Sequence, residues 1–66
     1  MNVLEAKIAP NEWKRVDHIY KEVPDIKAYF RNENDAKLFK SKLKAYLKQY
    51  GNKTNLKKRP IRLRKI

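Results

Sequence analysis

A small α+β domain, in which a two- or three-stranded sheet is packed by one long amphipathic helix and joined by a second, shorter helix, is the fold class that the 66-residue chain predicts. Three observations lead to it. Apolar and polar residues alternate over Val3–Ile8 and again over Asp25–Arg31, the period of half-buried strands. Between Glu33 and Tyr50 the period changes. Ala36, Phe39, Leu43, Tyr46, Leu47 and Tyr50 fall on one stripe when turned by about 100° per residue, as on a core-facing helix.

The first strand, 3–8, sets Leu4, Ala6 and Ile8 on one side and Glu5 and Lys7 on the other, and Ala9-Pro10-Asn11 breaks it. Residues 11–23 admit two readings. As a helix over 12–22, Asn11 is the N-cap and Glu12 sits favourably in the first turn. Trp13, Val16, Ile19, Tyr20 and Val23 then share an arc of about 120°, which puts Trp13 in the core, and Pro24 ends the run. As a strand, one side would hold Trp13, Arg15, Asp17 and Ile19 and the other Lys14, Val16, His18 and Tyr20, so neither face is clean. The helix is the preferred reading.

The strand 25–31 directs Ile26, Ala28 and Phe30 inward and Lys27, Tyr29 and Arg31 outward. Asn32 then caps the long helix 33–50, with Glu33 and Asp35 at its positive end and Lys48 near its carbonyl end. Gly51, the only glycine, suits a left-handed residue just past the helix. Ile26 and Phe30 are expected against Phe39, Leu43 and Leu47. A polar connection, Asn52–Asn55, leads to LKKRPIRLRKI. After Pro60, Ile61 and Leu63 alternate with Arg62 and Arg64, the pattern of an edge strand over 60–66 or of a tail that orders on a partner. The domain organisation expected is a compact α+β unit, 1–51, with a basic C-terminal extension, 52–66.

A chain of this size buries only about 60% of its unfolded surface, and without cysteine it has no disulfide or thiolate metal site to reinforce it. No basic, apolar leader pattern opens the sequence, and no run nears the roughly 18 apolar residues that a bilayer span requires. The compartment expected is the cytoplasm.

The net charge is +11, and it is unevenly spread. All seven acids lie in the first 35 residues beside six bases; from Ala36 onward there are twelve bases and no acid. So one-sided a field opposes its own folding, and a polyanionic partner is a physical reason to keep it. Lys37, Lys40, Lys44 and Lys48 form a row beside the apolar stripe of the long helix. Lysine ammonium groups position a protein on phosphates without reading bases. The C-terminal segment adds Lys57, Lys58, Arg59, Arg62, Arg64 and Lys65, whose arginines can grip phosphates in pairs or contact guanine. Tyr29, outward between two cations, is a candidate platform for a stacked base.

Enzymatic chemistry is not expected. His18 is a lone histidine, Ser41 has no base at helical spacing, and one glycine makes no phosphate-binding loop; no cofactor or metal is expected. The function expected is binding of nucleic acid, duplex DNA slightly ahead of RNA. The alternatives are a small basic inhibitor or adaptor that docks on an acidic protein surface, as in phage or mobile-element accessory proteins, and a component of a ribonucleoprotein. A membrane surface is disfavoured because the apolar stripe is modest and the core needs it. The segment IKAYFRNENDAKLF resembles the strand-to-helix step of integrase arm-binding and related sheet-reading DNA-binding domains. That resemblance implies a sheet backed by a helix and a nucleic-acid partner; the strands that precede the step in those domains are not evident here.

Overall fold

The computed structural model describes residues 1–51 and 57–66. Its elements run β1 (Asn2–Ala9), β2 (Glu12–Arg15), α1 (Val16–Ile19), β3 (Tyr29–Phe30), α2 (Glu33–Tyr50) and β4 (Ile61–Lys65). This is the expected α+β class: an antiparallel sheet, one long helix and a short second one. The connection 52–55 lies outside the described residues.

Everything is built on β1. Its residues Asn2 to Ala6 pair antiparallel with Lys65 to Ile61 of β4. Glu5, Ala6, Lys7 and Ala9 pair with β2, the register shifting between Lys7 and Ala9, and Asn2 and Val3 pair with β3. Because Asn2 and Val3 pair with both β3 and β4, and Glu5 and Ala6 with both β2 and β4, β4 occupies one edge of β1 alone. The other edge is shared end to end by β2 and β3. A hydrogen bond from Leu4 N to Ala28 O, 2.9 Å, continues the pairing between them. The segment after Pro60 is therefore a strand of the sheet and not a free tail. The termini meet there: the Met1 ammonium donates to Ile66 O and Ile66 N–H donates to Met1 O, both at 2.8 Å.

The stretch 12–22 corrects the sequence reading. Pro10 and Asn11 form the two-residue loop of a β1–β2 hairpin, and Asn11 has φ 67°, which excludes the extended backbone of an N-cap. Proline followed by an asparagine at positive φ is the pattern of a type II turn. Glu12–Arg15 folds back to satisfy the edge of β1, and only Val16–Ile19 is helical. The apolar periodicity was real at Val16, Tyr20 and Val23, all buried. One short turn of helix and a second bend suffice to bury those three, and Trp13 is left outside the core. That second bend is Val23-Pro24-Asp25-Ile26, where Asp25 takes φ 57° and Ile26 N–H donates to Val23 O. It confines the strand expected at 25–31 to Tyr29–Phe30.

The helix expected at 33–50 has those bounds. Asn32 accepts from Asn34 N–H at 2.7 Å as its N-cap. Its other end is a second correction. Gly51 is right-handed, φ −62° and ψ −21°, and donates its N–H to Leu47 O. It continues the helical path where a left-handed stop was expected.

Strand alternation separates the two faces of the sheet. Leu4, Ala6, Phe30, Ile61 and Leu63 face α2, where Ala36, Leu43 and Leu47 are buried and Phe39 packs on Phe30 with ring centroids 5.3 Å apart. Asn2, also buried, donates through Nδ2 to Phe30 O and Arg31 O, tying the exit of β3 to the sheet. Val3, Glu5 and Lys7, with their cross-strand partners, form the other face, away from α2; Val3 and Glu5 are buried within it, and Asp17 and His18 of α1 meet Arg15 at its edge.

Candidate nucleic-acid interface

The expected binding residues divide between these two sides of the sheet. On the helix side, Lys37, Lys40, Lys44 and Lys48 keep their single row, because helical spacing alone dictates it. Their surroundings differ. Lys37 Nζ lies 3.4 Å from Glu33, and Lys65, reaching from β4, lies 2.6 Å from the other oxygen of the same carboxylate. The Glu33 pKa is held below its ordinary value, first by the Lys65 hydrogen bond and charge and then by Lys37. Lys40 is half-buried.

Lys44 and Lys48 have a different neighbourhood. They join Lys58 and Arg59, from the segment entering β4, around an open groove of about 520 Å³ floored by Ala45, Leu47 and Pro60. Among the described residues no carboxylate side chain lines it. Tyr20 anchors the segment entering β4: its hydroxyl donates to Lys57 O at 2.8 Å. Burial pushes the phenol pKa up, against the opposing pull of Arg59. Lys57 itself is exposed.

Arg62, Arg64 and Tyr29 lie on the opposite, open face. They belong to cross-strand rows set by the register: Arg64, Val3 and Tyr29 in one, Arg62, Glu5 and Arg15 in the next, and Lys7 and Trp13 beyond. Glu5, its side chain only 9% exposed, accepts from Arg62 on one oxygen at 3.0 Å and pairs with Arg64 through the other at 3.3 Å. The Arg62 guanidinium sits 4.2 Å above the Trp13 ring, with Lys7 Nζ 6.0 Å from the same ring. Arg15 repeats the arrangement over Tyr29, 5.1 Å from its centroid, and donates through Nη1 to the Tyr29 hydroxyl at 2.9 Å. That hydrogen bond is the main reason the Arg15 pKa is raised, so the group stays cationic. Arg15 Nε and Asp17 Oδ1 lie 3.2 Å apart with no other partner for either atom; the geometry is that of an ion pair and not of an aligned hydrogen bond. Arg15 also touches the His18 ring.

Three residues of this face, Lys7, Trp13 and Arg15, are absent from the set drawn from the sequence. The signal for two of them was the strand reading of 11–23, which puts Trp13 and Arg15 on one side with Asp17 and Ile19. Tyr29 is outward as expected, but Arg15 accompanies it; Lys27 lies instead over Phe30, 5.0 Å from its ring. The split of charge along the chain is also not a split in space. Front-half Glu5 and Glu33 pair with Arg62, Arg64, Lys37 and Lys65 of the back half. Among the described residues no cluster of metal-ligating side chains occurs, and no helix is long and apolar enough to cross a membrane. No family model, no curated protein and no solved structure matches the chain.

Proposed function

We propose that the chain is a non-enzymatic nucleic-acid-binding protein that holds the phosphate backbone in the groove between α2 and the segment entering β4. One observation carries this reading: Lys44 and Lys48 of α2 and Lys58 and Arg59 before β4 line a single groove in which, among the described residues, no carboxylate side chain stands. Four cations brought together repel one another, and a polyanion relieves that repulsion while releasing its own counterions. Lysines 44 and 48, one helical turn apart, are about 6 Å apart along the axis, a spacing suited to successive phosphates. The paired cations, Lys37 and Lys65, contribute less, because Glu33 already compensates them.

The test is binding to duplex DNA, single-stranded DNA and structured RNA over a series of salt concentrations. Neutralising about four phosphates gives a slope of log affinity against log salt near −3 to −4. Replacing Lys44 and Lys48 by alanine should flatten the slope by roughly two units at unchanged helix content. An unchanged slope removes the groove from the account.

A further inference from the structure

The open sheet face is not explained by phosphate binding in the groove. We infer that this face receives single-stranded nucleic acid, whose bases stack on the Arg62–Trp13 and Arg15–Tyr29 pairs while Arg64 and Lys7 meet its phosphates. The inference rests on the nucleic-acid reading above and adds to it the strandedness of the ligand and a second surface.

Three features of the face carry it. The first is the combination of groups. Lys7, Arg15, Arg62 and Arg64 outnumber Glu5 and Asp17, and three of the four lie over aromatic rings. A base has a π-face that stacks on either an aromatic ring or a guanidinium plane, and stacking of this kind tolerates any sequence. The second is strandedness. In a duplex the base faces are already stacked on one another, so the guanidinium and ring planes of these pairs have no free base to meet; an unpaired strand offers them. The third is preorganisation. The Glu5 carboxylate fixes Arg62 and Arg64, and Asp17 and the Tyr29 hydroxyl fix Arg15. Side chains already ordered lose less freedom on binding.

Spacing agrees with these features. Trp13 is opposite Lys7 and Tyr29 opposite Val3, so the two stations are four residues apart along β1, or roughly 13 Å. An extended strand covers that span in a few nucleotides. Arg62 and Arg64 have 43% and 53% of their side chains exposed, so the guanidinium groups are open to an incoming base or phosphate.

Trp13 is the only tryptophan, so tryptophan emission, excited beyond the tyrosine band, reports on this face. The experiment titrates the full chain into end-labelled oligothymidylate, oligouridylate and a duplex, each of about twelve nucleotides. Affinity is read from the anisotropy of the label, with Trp13 emission followed in parallel where Trp13 is present. The series is repeated with Trp13→Thr, Tyr29→Thr and the Lys44→Ala/Lys48→Ala pair. Threonine keeps strand propensity, and circular dichroism with thermal unfolding verifies that each variant folds. Expected are a change in Trp13 emission with the single strands and losses of roughly five- to a hundredfold in their affinity for either threonine variant. Comparison of thymidylate with uridylate tells DNA from RNA. Folded threonine variants that bind single strands within twofold of the parent overturn the inference, as does equal affinity of the parent for the duplex. If binding then falls only in the lysine variant, the groove reading survives; if no nucleic acid binds at any salt, both fall.

Discussion

At the scale of single residues, the burial of Tyr20 shows how a polar atom is kept in a small core. Its ring is 1% exposed, and its hydroxyl has one use, the bond to Lys57 O that holds the start of the β4 segment. Removing that bond by Tyr20→Phe should cost about 1 kcal/mol at neutral pH in denaturant unfolding. The same residue sets an alkaline limit. Its folded pKa is raised by burial, so the neutral phenol is favoured in the native state. Its contribution is fully present below the unfolded value near 10 and is lost as pH rises through the folded one. The parent should therefore lose stability above about pH 10, and Tyr20→Phe should lose less over that interval. Equal alkaline losses in the two proteins would refute the assignment. Glu33 acts at the other end of the scale: its pKa is lowered, so what it contributes is present above the ordinary carboxylate range and disappears as acid protonates it.

At the scale of elements, α2 and β2 were legible to different degrees, and the reason is physical. The start of α2 and the face it buries follow from neighbouring residues: an asparagine cap, acids in the first turn, and an apolar stripe with no break. No remote contact is needed to specify them. Glu12–Arg15 is four residues long, alternates exposed and half-buried, and forms because β1 has an open edge. That edge is tertiary information, and propensity over four residues is too weak to oppose it. The cost of the misreading fell on the site: with 12–22 as a helix, Trp13 belonged to a core and Arg15 to nothing. The end of α2 provides a test. Gly51 in a right-handed conformation gains nothing from lacking a Cβ, so Gly51→Ala should raise stability by about 0.4–1 kcal/mol through the unfolded chain. A left-handed Gly51 would give a loss, and the unfolding midpoint distinguishes the two.

At the scale of the whole molecule, the chain closes on itself. β4 pairs along the central strand, Ile61 is buried, and the first and last residues exchange hydrogen bonds. Deleting residues 61–66 should expose Leu4 and Ala6 on the edge of β1 and abolish cooperative unfolding; retention of a sharp transition in residues 1–60 would show that the rest folds alone. The closure also distributes charge. It carries the arginines of β4 across the sheet onto Glu5 while leaving Lys58 and Arg59 beside α2, so one basic segment serves two faces. From residues alone come the α+β class, the long helix with its lysine row, and the excess of positive charge, because each depends on composition or on spacings of a few residues. The tertiary structure decided which cations are compensated, which share a groove, and which aromatic rings face outward. Those outcomes depend on strand register and on the meeting of the two ends of the chain, and neither is encoded within a local window.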